Sequence, residues 1–181
     1  DLIEVWNSKH TNARHSITLY KADLSSKWYR SNTLAIQLGY YAHSKLDIKP
    51  SLGLVKTAYL VDNGKNIFSN SQYLHGVAIK LFPYPVKYHL LWAQERGTIP
   101  LYLWMPIPPN KDYISMGIIA THNQNEPSIQ QVRCIPKKYV IPTKMKPKLI
   151  WKDSGTSGQA GSIWMINSLG LITVTNGHEQ P

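Results

Sequence analysis

Cysteine is almost missing from this chain: Cys134 is the only one among 181 residues. An intrachain disulfide is excluded, and with it a stapled secreted scaffold. Secretion itself stays open, because a chain of this size buries roughly 70% of its unfolded surface without staples. Acidic residues are scarce, 10 Asp+Glu against 20 Lys+Arg, and they stand isolated. Paired carboxylates for glycoside hydrolysis are therefore not suggested. No apolar run approaches the roughly 20 residues of a membrane-spanning helix. No signal-peptide pattern stands at Asp1, which fits a processed end or an artificial boundary equally. Phenylalanine is rare as well, with 2 Phe beside 11 Tyr and 6 Trp. Tyr and Trp join an apolar body to a polar tip, which suits strand surfaces and binding faces. The 12 Pro and 11 Gly are scattered, leaving few windows for long helices.

What the chain does have is internal repetition. An aliphatic pair ending in tryptophan recurs as Ile3-Glu4-Val5-Trp6, Leu90-Leu91-Trp92 and Leu149-Ile150-Trp151. A polar turn follows each, then an apolar strand: Ser16-Ile17-Thr18-Leu19-Tyr20, Leu101-Tyr102-Leu103-Trp104-Met105-Pro106 or Ser162-Ile163-Trp164-Met165. The step to the second aromatic is 14 (Trp6 to Tyr20), 12 (Trp92 to Trp104) or 13 (Trp151 to Trp164) residues. Matching text around a glycine follows in two units, Leu38-Gly39-Tyr40-Tyr41-Ala42 and Met116-Gly117-Ile118-Ile119-Ala120. Pro50 or Pro127 comes 11 or 10 residues later, and Val55-Lys56 or Val132-Arg133 closes the unit. Unit three ends early, near Gly170-Leu171-Ile172-Thr173-Val174, and unit one carries a loop insertion around 23–32. A repeat dictates architecture before any local assignment.

One unit of three or four antiparallel strands cannot bury its apolar face alone. Three units packing around a pseudo-threefold axis predict an all-β protein, a β-prism of three antiparallel sheets; a two-sheet β-sandwich uses the same strand signals. A single domain over 1–181 is expected, with units at about 2–58, 88–140 and 149–175 and 59–87 as an additional hairpin, completing a sheet with the short third unit. Within this scheme 73–82 reads as a strand, 22–32 as the one place for a short helix, and Asp62-Asn63-Gly64 as a tight hairpin turn.

Leu103-Trp104-Met105-Pro106-Ile107-Pro108-Pro109, then Asp112-Tyr113-Ile114-Ser115-Met116-Gly117, then Pro127-Ser128-Ile129-Gln130-Gln131-Val132-Arg133-Cys134 resembles a family pattern, "W-R-P-x-P-P-x-G-Y-x-A-L-G … P … V-R-C-V". Ile150-Trp151-Lys152-Asp153-Ser154-Gly155 resembles "I-W-x-D-x-G-S-G" of the same family. The pattern is that of the Vps62-like family, with relatives inside Vps13-type lipid-transfer proteins. The likeness spans nearly the whole chain, strongly in 88–164. Met105 stands for the usual arginine, Lys111-Asp112 for the glycine before Tyr113, and unit three lacks the proline-rich corner. The resemblance brings no functional residues with it. By fold analogy it implies kinship with a phospholipid-binding prism of vesicle-sorting machinery and a domain of perforin-like proteins.

Constellations for catalysis or metal are weak. Seven histidines, at 10, 15, 43, 75, 89, 122 and 178, lack ligand spacing with a carboxylate or cysteine, so no metal is expected. Cys134 sits between apolar neighbours and reads as a buried small hydrophobe rather than a nucleophile. Gly155-Thr156-Ser157-Gly158-Gln159-Ala160-Gly161 lacks the following lysine and helix of a P-loop and reads as a hairpin loop. No enzyme activity and no cofactor are expected.

Charge carries the functional reading. Formal net charge is +10, and Arg133, Lys137, Lys138, Lys144, Lys146, Lys148 and Lys152 crowd one stretch with no acid before Asp153. Such a field favours anionic partners. Five lysines at an anionic bilayer give about 5 kcal/mol, an affinity of roughly 0.1–1 mM. Useful binding then needs inserted aromatics, for which Trp28, Tyr29 and Tyr139 are candidates. The expected function is a non-enzymatic module that recognises anionic phospholipid at a membrane surface. The alternatives are a lectin-like glycan-binding module and the targeting or pore-associated domain of a secreted toxin. The short Ile172-Thr173-Val174-Thr175 alternation cannot span a bilayer. Nucleic acid suits the charge but has no motif behind it. Peripheral membrane and secreted locations are both compatible.

Overall fold

The structure is a computed structural model and describes residues 1–24, 33–46, 48, 55–61 and 71–181. In chain order the elements are β1 (Leu2–Asn7), β2 (Thr18–Ala22), β3 (Thr33–Ile36), β4 (Tyr41–His43), β5 (Ala58–Val61) and α1 (Ser71–Leu81). There follow β6 (Lys87–Gln94), β7 (Leu101–Ile107), β8 (Tyr113–Ile114), β9 (Ile119–Thr121), β10 (Ile135–Pro136), β11 (Lys148–Lys152), β12 (Gly161–Met165) and β13 (Ile172–Asn176). The fold is mostly β, built of several small antiparallel sheets, none closed. Three sheets have three strands, β1-β2-β4, β6-β7-β9 and β11-β12-β13; two are ribbons, β3-β5 and β8-β10.

The three larger sheets share one register. Trp6 faces Leu19, Trp92 faces Leu103 and Trp151 faces Ile163. The next partners are Ala42, Ala120 and Val174. In each sheet the first strand carries a β-bulge immediately before its tryptophan, at Glu4/Trp6, Leu90/Trp92 and Leu149/Trp151. The extra residue is the aliphatic of the recurring sequence phrase: Val5, Leu91 or Ile150, each packed against the main core cluster. A bulge bends its strand and re-aims the following side chain, and here it turns a large indole inward. All three indoles are 2% exposed.

A buried indole N–H needs an acceptor. Trp6 Nε1 donates to the Ile99 carbonyl (3.0 Å), Trp92 Nε1 to those of Gln159 and Ala160 (3.1 and 3.2 Å), and Trp151 Nε1 to that of His15 (2.8 Å). Each acceptor lies in the first turn of the next unit, so the bonds run from unit one to two, two to three and three back to one. The backbone repeats this closure. Tyr40 N–H donates to the Ile118 carbonyl (2.8 Å), Ile118 N–H to that of Ile172 (3.1 Å), and Ile172 N–H to that of Tyr40 (3.2 Å). The residue before each is Gly39, Gly117 and Leu171. A Cβ on Gly39 would stand 2.8 Å from the Gly117 Cα, backbone against backbone. Unit three breaks the rule with a leucine, and its side chain touches the space that Gly117 leaves.

The turn of unit three is fastened to unit two. Gln94 Nε2 donates to Asp153 Oδ2 (2.8 Å) and to Thr156 Oγ1 (2.7 Å), while the Thr156 hydroxyl donates to Asp153 Oδ1. All three residues are buried. Desolvation pushes the Asp153 carboxyl above the ordinary carboxylate range, against the hydrogen bonds from Thr156 and Gln94, which lower it.

Units one and two each also carry a two-stranded ribbon, in which Ile36 faces Ala58 and Ile114 faces Ile135. The chain departs from expectation between residues 59 and 87. Among the described residues of 59–87, β5 pairs with β3 of unit one rather than with a strand of the third sheet. The segment 73–82 is helical rather than extended. Its buried residues, Leu74 and Ala78, are four apart and so on one helix face, while Tyr73 and Ile79 are exposed. Among the described residues the strands form five separate sheets. The whole is thus not purely β. The expected Asn63-Gly64 turn and most of the expected 22–32 helix lie outside the described residues.

Two glycine substitutions test this packing. A Cβ at Gly161 would lie 2.5 Å from Trp92 Cε2, whereas one at Gly76, exposed in α1, meets nothing within 4 Å. Gly161→Ala is expected to cost about 2–3 kcal/mol by overpacking, lowering Tm by roughly 4–12 °C. Gly76→Ala is expected to stabilise by about 0.5–1 kcal/mol. Thermal unfolding of both variants checks the pair; an unchanged Tm for Gly161→Ala would refute the close seat of Trp92.

Candidate functional site

The basic stretch between Arg133 and Lys152 does not form one patch. Arg133, expected to meet an anionic ligand, is 7% exposed. Its guanidinium Nη1 donates to the Phe82 carbonyl (3.0 Å), Nη2 donates to the Tyr84 hydroxyl (2.9 Å), and the group lies 4.2 Å from the Tyr84 ring centroid. Desolvation lowers its pKa, and Tyr84 opposes that shift. Arg133 is thus structural: it ties down the proline-flanked link between α1 and β6. The Cys134 N–H does the same, donating to the Pro83 carbonyl (2.8 Å).

That tie brings the end of α1 beside the β8-β10 ribbon. Pro136 faces Tyr113 across the ribbon, and Lys137 N–H donates to the Asp112 carbonyl (2.8 Å). Lys137–Tyr139 forms one turn of 3-10 helix. Between these segments opens a cleft of about 390 Å³, lined by Lys80, Leu81, Lys111, Asp112, Tyr113, Pro136, Lys137 and Lys138. Four lysines and one aspartate are among the lining residues. Lys137 and Lys138 were among the sequence candidates. Lys80 and Lys111 were not, because nothing local in the sequence joins them to residues 137–138. For Lys111, the departure of Lys111-Asp112 from the glycine of the family pattern is the textual trace.

The remaining candidates fall elsewhere. Lys144 and Lys146 are exposed on the connector between β10 and β11. Lys148 borders a cavity of about 130 Å³ with His43 and Met165. Lys152 borders one of about 630 Å³ with Arg14, His15 and Trp151. Tyr139 is 57% exposed, beneath the Lys138 ammonium at 5.0 Å from its ring centroid. Trp28 and Tyr29 lie outside the described residues. Among the described residues, no three His, Cys, Asp or Glu side chains gather where they would hold a metal ion. None of the described helices is long and apolar enough to cross a membrane.

The family described as "Vacuolar protein sorting-associated protein 62" (Vps62) matches residues 2–170. The chain belongs to the Vps62 family. That span takes in all three tryptophan bulges and the lysine cleft. No curated protein matches the sequence significantly. Among solved structures, this chain is similar to the crystal structure of GNIP1Aa from Chromobacterium piscinae, with a TM-score of 0.71 and 12% identity. The match covers 100% of this chain and 32% of the GNIP1Aa chain, so it spans about a third of that protein's length. At that identity the likeness is one of fold.

Cys134 is buried and free, as its apolar neighbours suggested. Burial pushes its thiol from 9.0 to about 11. The thiolate, which is the nucleophile, is thereby about a hundredfold scarcer at pH 8. Iodoacetamide at pH 8 is expected to leave the folded protein unmodified over an hour and to alkylate the urea-unfolded chain within minutes. Mass spectrometry reads the difference, and rapid labelling of the folded protein would overturn the burial.

Proposed function

We propose that this Vps62-family chain is a non-enzymatic module that docks on anionic phospholipid membranes, with the lysine cleft as its headgroup site. The carrying observation is the convergence of Lys80, Lys111, Lys137 and Lys138, from three segments, on one concave site with a single carboxylate. A cleft lined predominantly by one sign of charge, here four lysines to one aspartate, focuses the field on an incoming anion. Lysine is a compact point charge with three donors and suits phosphate without demanding a fixed geometry. The protein as a whole adds long-range attraction through its net charge of +10.

The architecture inferred with this reading is a β-prism: three sheets around a pseudo-threefold axis, with the cleft on an appendage of unit two. The closed cycle of indole and backbone hydrogen bonds supports it. Glycan binding has less support. Sugar rings stack on exposed aromatic faces, yet Trp6, Trp92, Trp104, Trp151 and Trp164 are all at most 7% exposed, and among the described residues the large exposed aromatics are the single tyrosines Tyr59, Tyr73 and Tyr139. The targeting-module reading is compatible with membrane docking. In GNIP1Aa the similar region is about a third of a longer chain, as suits a fold that works as one part of a larger protein.

Vesicle co-sedimentation tests the proposal. Binding is expected to phosphatidylserine-containing vesicles and not to neutral ones, with loss at high salt. Charge reversal of Lys80, Lys111, Lys137 and Lys138 to Glu removes at least about 4 kcal/mol of attraction, so affinity is expected to fall on the order of a thousandfold. Lys148→Glu/Lys152→Glu, on β11, serves as the control and is expected to lose far less. Undiminished binding by the cleft variant, with a parental circular dichroism spectrum, would sink the assignment of the cleft.

A further inference from the structure

The connector after the lysine cleft carries an apolar side chain in an unusual position. Ile141 is 91% exposed. Isoleucine is among the residues most often fully buried, and scattered exposed apolar residues are ordinary. This one is not isolated. Tyr139 at 57% and Met145 at 39% exposure stand two and four residues away. No regular element forms from Val140 to Pro147, and residues 141–146 are all exposed.

The local chemistry explains why the segment stays open. Pro142 and Pro147 supply no N–H and bias Ile141 and Lys146 towards extended backbone. Val140 is extended (φ −120°, ψ 148°) where it leaves the 3-10 turn. Lys137, Lys138, Lys144 and Lys146 interleave with the three apolar residues and are all exposed. No acidic residue occurs between Glu126 and Asp153. Cations and bulky apolar groups alternating on an exposed, proline-stiffened loop match the layering of an anionic bilayer surface, where phosphate lies above acyl chain.

We propose that residues 139–146 form a membrane-inserting loop. Ile141, flanked by Tyr139 and Met145, enters the boundary between headgroups and acyl chains of an anionic bilayer. Lys144 and Lys146 hold the phosphates around it, continuous with Lys137 and Lys138 of the cleft. The inference rests on the anionic-membrane reading above and adds the apolar component that lysines alone lack. Electrostatic docking ends at high ionic strength, whereas an inserted isoleucine keeps a salt-resistant share of the binding.

The test places a nitrobenzoxadiazole label on Ile141→Cys in a Cys134→Ala background, with Ser168→Cys, exposed in the turn between β12 and β13, as reference site. Emission and co-sedimentation are read from the same samples with phosphatidylserine vesicles. Insertion predicts a blue shift and a several-fold emission rise at 141, quenching by acyl-chain doxyl groups, and no change at 168. Unlabelled Ile141→Asp is expected to lose roughly tenfold or more of the binding that survives high salt. Substitution at a side chain this exposed leaves the fold intact, which circular dichroism verifies. Co-sedimentation with unchanged emission at 141 would overturn insertion and leave electrostatic docking standing. Absence of co-sedimentation would remove the membrane reading and the insertion with it.

Discussion

Three indole N–H groups set the terms for the fold. Each belongs to a tryptophan that a β-bulge has turned into the interior, and each finds its acceptor only on the neighbouring unit. A buried donor without a partner costs about 1–3 kcal/mol. No unit can therefore bury its own tryptophan cheaply, and each needs the turn of the next at the correct height. Trp92 and Trp151 meet edge to face, with ring centroids 6.1 Å apart and planes at 75°, a favoured aromatic geometry. Gly161 is small because Trp92 lies against it, and Gln94, Asp153 and Thr156 fix the turn that presents the Gln159 and Ala160 carbonyls. The smaller choices follow from where the indoles point.

The lysine cleft depends on the same frame at one remove. β8 and β10 hang from unit two, and Arg133 and Cys134 pin the link that follows α1. Arg133 keeps its charge but commits it to this task. It satisfies two oxygens and stacks on Tyr84, in a place where bare burial of a cation would be costly. The lysines around it remain exposed because they have no such internal work. A run of basic residues that looks uniform in one dimension is thereby sorted into a strut, a cleft and a loop.

Much of the frame was legible in the sequence. The Trp phrase and the shared text around Gly39 and Gly117 carry the register, since each contacts its counterpart or the adjacent unit. Buried burden leaves a periodic trace, so β1, β2, β6, β7, β11 and β12 fell close to expectation. The helix α1 did not, because Val77, Ile79 and Tyr73 favour strand locally and Gly76 disfavours helix. What decides for helix is the burial of Leu74 and Ala78, a tertiary fact. The cleft was half legible. Lys137 and Lys138 are neighbours in sequence, but Lys80 and Lys111 join them only once the chain has folded back. Ile141 gave no signal, since an apolar residue in text looks the same whether it ends in the core or in water.

The cycle of bonds from unit one to two to three and back to one has a consequence for how such a chain can change. A stacked array grows or shrinks by whole repeats, because each copy touches only the next and the ends can be capped. A cycle has no end. A fourth copy would find both of its carbonyl and indole partners already taken, and two copies would leave an indole facing nothing. Within the cycle the copy number is fixed by its closure, so the repeat region itself varies in length between and within the copies. The text around 23–32, helix α1 and the 140–147 connector are such additions, and the lysine cleft and Ile141 are found on the last two.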